Sequence, residues 1–209
     1  MKLVHESLKD TLRAWSRFAE RERIAWWISH GELLSHYWNG DLFPWDVDLD
    51  LQTSTFGLMQ LVPFNQTVWE GRYLLDVSPN VYVRSRQPNN VIDARVIDTS
   101  TGHFLDITGL TDMVLESHDV VSCKSPHEYK YVDLMPLHET LLAGIPVLRP
   151  RAEIKLLKQE YSEKALYAER YRNLMSHETF QWNRKSLVWV SIGNVDLDEG
   201  DDGLDDEHL

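Results

Sequence analysis

The segment "DVDLDLQ" (46–52) constrains the fold more than any other part of the chain. It alternates three acidic with three apolar residues: Asp46, Val47, Asp48, Leu49, Asp50 and Leu51. Successive side chains of a strand point to opposite faces, so a strand here places the three carboxylates on one face. Pro44 disfavours a helix just before the segment. The pattern therefore predicts a β-strand with one acidic face and one apolar face.

Carboxylates so close together repel each other unless a cation lies between them. A solvated strand face is one interpretation of this segment. A calcium-binding loop is excluded, because Leu51 stands where the loop needs glycine and Gly57 where it needs glutamate. Asp106 in "FLDI" is a further acid and is flanked by apolar residues. If it is buried, its carboxylate needs a cationic or hydrogen-bonding partner. The oxygen ligands Asp46, Asp48, Asp50 and Asp106 together predict a site for Mg²⁺ or Mn²⁺.

Composition narrows the classes of function. The formal net charge is −12, and residues 194–209 supply eight acidic residues with no Lys or Arg. We expect residues 1–193 to form one domain and residues 194–209 to be a disordered, dispensable tail. No basic stripe is present, which disfavours a nucleic-acid polymer as partner. No apolar run is long enough for a membrane span and no signal peptide is visible, although neither observation fixes the compartment.

The pattern along the chain predicts a mixed α+β fold. Apolar spacing over residues 3–23 indicates an amphipathic helix, followed by a short strand (24–29) and a second helix (31–38). Three further strands are predicted, the last two joined by a turn at 99–102. Residues 151–161 and 162–175 are each predicted to be helical.

Gly31 lies where the first strand meets the second helix. A glycine there lets the backbone approach a ligand, and helix N-terminal amides attract anions. His30 beside it is a candidate to bind a sugar or phosphate, with a packed core histidine as the alternative. Arg84, Arg86 and Arg95 suit bidentate phosphate contacts. The alternative for these arginines is that they are surface charges or pair with Asp76, Asp93 and Asp98.

Three motifs resemble the LicD/fukutin family. "WWISHGELLSHYWNGDLFPWDVDLDLQ" is similar to its "GTLLG…G…IPWDDDIDI" pattern. "NNVIDARVIDTSTGHFLDITGL" resembles the corresponding segment of the fungal branch that is linked to mannosyl-phosphate transfer, and "DLMPLHETLLAGIPVLRP" resembles a downstream motif. The resemblance spans about residues 24–175. It implies a nucleotidyltransferase-like fold, a small mixed β-sheet flanked by helices.

The resemblance also implies a chemistry. Such a protein transfers a phospho-group, such as a phosphosugar or phosphocholine, from a nucleotide-diphosphate-linked donor to a glycan or glycoconjugate hydroxyl, with Mg²⁺ or Mn²⁺. Asp48, Asp50 and Asp106 would be the catalytic metal ligands, with Asp46 in support, and Gly31 would belong to the phosphate loop. Eukaryotic relatives of this kind usually work in the Golgi lumen.

Two further interpretations stay open. One is generic nucleotidyl transfer to a small molecule. The other is a catalytically silent regulator or binding partner of glycan phosphorylation that keeps the nucleotidyltransferase fold. The family has Ser or Thr after the glycine, whereas this chain has Glu32, which would repel a donor phosphate unless it points away. Glu32 favours the regulator, and the intact set of aspartates favours the enzyme.

Overall fold

A computed structural model describes residues 2–85, 91–112, 119–125, 127–195 and 203–205. Within these ranges the chain forms five α-helices: α1 (Lys2–Glu22), α2 (His30–Asn39), α3 (Thr55–Leu61), α4 (Tyr131–Leu134) and α5 (Glu153–Tyr161). Short 3₁₀ helices cover Val62–Phe64 and Lys164–Leu166. No helix in the described ranges is both long and apolar enough to cross a bilayer.

The main sheet has eight strands: β1 (Trp26–Ile28), β2 (Leu49–Ser54), β3 (Val68–Trp69), β4 (Tyr73–Val77), β5 (Ala94–Asp98), β6 (Phe104–Asp112), β7 (Val120–Ser122) and β8 (Glu128–Lys130). Its order is β1-β2-β6-β5-β4-β3, and β7 joins β6 to β8. Strands β2 and β6 run parallel, and the other neighbours in this sheet are antiparallel. The mixed α+β class is thereby confirmed, whereas a specific nucleotidyltransferase-like arrangement is not.

Two smaller sheets complete the described structure. Strands β9 (His138–Leu142) and β10 (Ile145–Arg149) form a hairpin. The other sheet contains β11 (Arg170–Arg172), β12 (Thr179–Asn183), β13 (Val188–Gly193) and β14 (Leu204–Asp205), in the order β13-β12-β11-β14.

Helix α1 confirms the amphipathic helix predicted near the start of the chain. Its apolar positions Leu8, Leu12, Trp15 and Phe18 are all buried. Their spacing of three or four residues places them on one face of the helix, which packs against β5, β6 and β10. The predicted β5–β6 hairpin is also present, with the Asp98 N–H bonded to the His103 carbonyl across the turn.

The acidic strand is shorter than predicted. Strand β2 begins at Leu49, so Asp46 and Asp48 precede it. A turn over Phe43–Asp46 explains the difference. The Asp46 N–H donates to the Phe43 carbonyl, and the Asp46 Oδ2 accepts from the Phe43 N–H over 2.7 Å. Pro44 occupies the second position of this turn, where its fixed φ is favourable.

Near the C-terminus the structure differs from the sequence pattern in two places. Residues 162–175 do not form a helix, because they contain a 3₁₀ helix and strand β11 instead. The acidic tail is not entirely an appendage, because Leu204–Asp205 pairs with β11 in parallel and Leu204 is buried. Leu204 borders an aromatic group that includes Trp45, Tyr171 and Trp189. The boundary at residue 193 stays a prediction for the rest of the tail.

Candidate functional site

The parallel β2–β6 pair brings the two predicted acidic segments together. Asp50 on β2 is in register with Asp106 on β6, and Arg95 on β5 is in register with Asp106 from the other side. Arg95 binds Asp106 in a bidentate ion pair, with Nε 2.5 Å from Oδ1 and Nη2 2.7 Å from Oδ2. The guanidinium also stacks over the Phe104 ring at 3.7 Å. Asp106 therefore already has a cationic partner.

The other three aspartates, Asp46, Asp48 and Asp50, form no such ion pair with any described residue, and each lies close to like charges. Burial raises the pKa of Asp46 to about 8, although its bond from the Phe43 N–H opposes the shift. Burial, with Asp48, Asp106 and Glu160 nearby, raises the pKa of Asp50 to about 6 despite the opposing effect of His30. The pKa of Asp48 is raised too, by burial and then by Asp106. These groups form a carboxylate cluster whose charge is poorly compensated.

Glu32 belongs to the same cluster. It is 3% exposed, and its Oε2 accepts a hydrogen bond from the Asp50 N–H over 2.8 Å. Burial, followed by the charges of Asp50 and Asp46, raises the pKa of Glu32 well above its usual value. Glu32 thus points toward the aspartates rather than away from them. It adds a carboxyl group where a donor phosphate would need hydrogen-bond donors and positive charge.

His30 begins α2 and reaches the end of α5. Its Nδ1 is bonded to the Glu160 Oε1, and its Nε2 lies 3.2 Å from the Gln52 Nε2. His127, just before β8, lies beside His30 and Glu160. Its Nε2 is 3.9 Å from the same Glu160 oxygen. The interpretation of His30 as a packed, satisfied histidine agrees with these contacts, and sugar or phosphate binding by His30 stays a prediction.

Gly31 lies in open surroundings. An added Cβ would meet no atom within 4 Å, and the residue has no positive φ. Neither backbone conformation nor packing therefore requires glycine here. The space above Gly31 is compatible with a ligand that approaches the backbone, but the phosphate loop itself stays a prediction.

The predicted arginines have separate roles. Arg84 Nη1 lies 2.7 Å from Asp93 Oδ1, and its Nη2 donates to the Gly109 carbonyl. Lys124 Nζ also lies 2.7 Å from that Asp93 oxygen, and both Lys124 and Asp93 are buried. Arg84 is thus part of a buried ion network, which agrees with the alternative of pairing with Asp93. Arg86 lies outside the described residues.

The four predicted metal ligands only partly fit a divalent cation. Asp106 is bound by Arg95, and Asp46 closes its turn. No three of the four, all of which are described, bring ligand oxygens within 4.8 Å of one another. Asp48 and Asp50 remain, since neither closes a turn as Asp46 does nor is bound as Asp106 is by Arg95, and burial raises the pKa of both. Mg²⁺ or Mn²⁺ at this place stays a prediction, with these two residues as its first ligands.

Sequence reasoning missed Glu160, His127 and Lys124. Glu160 is 130 residues from His30 in sequence, and Lys124 is distant from the site motifs. No local pattern marks any of the three, because each is brought into place by a different element. Only a signal that links positions far apart in the sequence could have identified these three residues.

The chain is similar to mannosyltransferase regulators of yeast. No protein-family model matches it. It is 40% identical over 124 residues to Mannosyltransferase regulator 4 of Saccharomyces cerevisiae, an alignment that covers 55% of the chain and 10% of that protein. It is 32% identical over 187 residues to Mannosyltransferase regulator 14 of the same yeast, covering 84% of the chain and 18% of that protein. The chain thus spans less than a fifth of each of these relatives.

These findings correct two predictions. The assignment to the LicD/fukutin family is wrong as made, because no family model matches and the similar proteins are named as mannosyltransferase regulators. The prediction of a phosphotransferase is wrong for the same reason, since both relatives are named regulators rather than enzymes. What these names do support is a context of glycan modification.

Proposed function

We propose that this chain is a non-catalytic domain that regulates a mannosyltransferase. The names of the two yeast relatives support a regulatory role and a glycan-related partner. The observation that carries the proposal is the position of Glu32. Its buried carboxyl accepts from the Asp50 N–H beside Asp46 and Asp50, so it adds a further acid to a cluster that would repel a nucleotide-diphosphate donor.

The charges around this position also support a regulator. A donor diphosphate needs positive charge, but Arg95 is engaged with Asp106 and Arg84 with Asp93. Without a bound cation, the described residues of the cluster therefore offer a phosphate donor little positive charge, and we infer that the domain acts through contacts with its partner enzyme.

A divalent cation is compatible with this role. We propose that Asp48 and Asp50 bind Mg²⁺ or Mn²⁺, whose charge would relieve the repulsion within the cluster.

Calorimetry with Mn²⁺ tests this cation site. The wild-type chain should bind Mn²⁺, and Asp48→Asn or Asp50→Asn should bind it at least tenfold more weakly. Asp76→Asn, an exposed aspartate on β4, is the matched control and should bind like the wild type. Equal affinity in all four proteins would contradict the cation site.

The regulatory proposal is tested by a transfer assay. A yeast mannosyltransferase preparation is supplied with radiolabelled nucleotide-linked mannose and a mannose oligosaccharide acceptor, with and without the purified chain. We expect the chain to change the initial rate at least twofold in a saturable manner. The chain alone should transfer no label.

An unrelated acidic protein of similar size, added at the same concentrations, controls for a nonspecific effect of charge. Label transferred by the chain alone would overturn the non-catalytic assignment. An initial rate that the chain leaves unchanged at saturating concentration would overturn the regulatory role.

A further inference from the structure

We propose that His30, His127 and Glu160 form a binding site for a transition-metal ion, best suited to Zn²⁺, separate from the aspartates of β2. The three residues come from three elements: the start of α2, the segment before β8 and the end of α5. One ligand atom from each lies within 4.8 Å of the other two, which is true of no other such group among the described residues.

An ion can be accepted after two adjustments of the distances between the ligand atoms. Ligands about 2.1 Å from a tetrahedral zinc ion lie about 3.4 Å from each other. The His127 Nε2 lies 3.9 Å from the Glu160 Oε1, so it would close by a fraction of an ångström. The His30 Nδ1 and the same oxygen share a hydrogen bond, which would open as the ion replaces the proton between them.

The ligand chemistry selects the ion. Two imidazoles and one carboxylate are typical of zinc sites that keep a fourth position for water or another ligand, whereas Mg²⁺ prefers oxygen ligands alone. His30 and Glu160 are 13% exposed at their side chains and His127 is 33% exposed. The site is therefore sheltered on the α2 and α5 side and open to solvent on the His127 side, which provides an entry path.

Neighbouring side chains hold both rings in place. The His127 Nδ1 lies 3.6 Å from the Cys123 Sγ, and the two histidine rings are 4.7 Å apart. The Trp27 indole donates to the Gln52 Oε1, which directs the Gln52 amide nitrogen toward the His30 Nε2. The His30 Nδ1 therefore carries the ring hydrogen that points to Glu160. When the ion takes that position, the ring hydrogen moves to the His30 Nε2, and the Gln52 amide turns so that its oxygen accepts from this Nε2 in place of the Trp27 indole.

The test uses the full chain, stripped with a chelator and reloaded with zinc chloride alone. Isothermal calorimetry and metal analysis after gel filtration should show one zinc ion per chain. His127→Ala and Glu160→Gln should each weaken zinc binding at least tenfold. Cobalt(II) loaded in place of zinc should give the strong visible absorption of a four-coordinate ion in the wild type, and lose it in both variants.

His36→Ala is the matched control. His36 lies on the same helix and is bonded to Glu153 in a pair of similar burial, but without a second histidine. It should bind zinc like the wild type, as should Asp76→Asn at an exposed position on β4, and circular dichroism checks that every variant is folded. The site is refuted if the folded wild type binds no zinc, if His127→Ala and Glu160→Gln bind it unchanged, or if the two controls lose it equally.

Discussion

The backbone N–H of Asp50 donates to the carboxyl of Glu32 over 2.8 Å, and this bond joins the first turn of α2 to the start of β2. It explains why an acid is buried at the position after Gly31. Glu32 satisfies a backbone donor inside the carboxylate cluster, although burial and the neighbouring aspartates oppose its charge. The same bond occupies the Asp50 N–H, so this N–H is not free to donate to a ligand.

Substitution of Glu32 should separate its hydrogen bond from its charge. Glu32→Gln keeps a carbonyl acceptor for the Asp50 N–H and removes an acid from the cluster, so we expect it to be at least as stable as the wild type. Glu32→Ala leaves the buried N–H without that acceptor and should cost about 1–3 kcal/mol. Urea unfolding at neutral pH with chelator present measures both. Equal destabilisation by the two substitutions would show that the carboxylate charge itself is required.

Asp98 should make stability depend on pH in the acidic range. Its buried carboxylate accepts from Arg72 at 2.7 and 2.6 Å and from Ser7 at 2.7 Å, and these bonds hold its pKa below the usual value. Because the folded-state pKa is lowered, the stabilisation is complete above the unfolded pKa of about 3.9 and is lost as the pH falls below it. Asp98→Asn should cost about 2–3 kcal/mol at pH 7.

Urea unfolding of both proteins between pH 7 and pH 2.5 tests the Asp98 prediction. The difference in free energy of unfolding should be constant down to about pH 4 and then shrink. Asp76→Asn, at an exposed position on the neighbouring strand, should show a much smaller difference throughout. If the difference in free energy of unfolding between the wild type and Asp98→Asn grows below pH 4, its pH dependence has the opposite sign. That result would contradict a lowered pKa for Asp98 in the folded state.

Gly31 should tolerate a methyl group. A Cβ there meets nothing within 4 Å, and alanine is favoured over glycine within a helix by roughly 0.8–1 kcal/mol. Gly31→Ala should therefore leave the melting temperature unchanged or raise it. Gly109→Ala is the contrasting variant, since its Cβ would lie 2.1 Å from the Leu58 Cδ1 and should destabilise the fold. A large loss of stability in Gly31→Ala would show that the surroundings of this glycine are closed.

Removal of the acidic tail after Val195 should lower the free energy of unfolding measurably. Leu204 is 4% exposed and pairs with Tyr171, so a chain that ends at Val195 loses a buried leucine. We expect about 2 kcal/mol, which lowers the melting temperature by about 4–8 °C in a domain of this size. Leu204→Ala in the full chain should reproduce most of this change. A truncated chain that melts with the wild type would restore the original expectation of a dispensable tail.

Much of the fold was predictable from local patterns. The apolar spacing of α1, the turn between β5 and β6 and the glycine-containing start of α2 are each specified within a short stretch of residues. Local reasoning failed where two local signals compete. At Asp46 the alternating pattern indicated a strand, but the turn with Pro44 took precedence because the Asp46 side chain closes it. In residues 162–175, pairing with β12 replaced the helix that local spacing favoured.

The sequence by itself determined that this chain is an α+β protein with an acidic segment beside apolar strands, because strand and helix periodicities are local properties of side-chain order. Only the tertiary structure decided how those acids are satisfied. The register between β5 and β6 places Arg95 opposite Asp106. The first turn of α2 places the Glu32 carboxyl against the Asp50 N–H. The packing of α2, α5 and the segment before β8 brings His30, His127 and Glu160 together. Charge compensation acts through space over a few ångströms, so it depends on contacts between residues that the order of the chain keeps far apart.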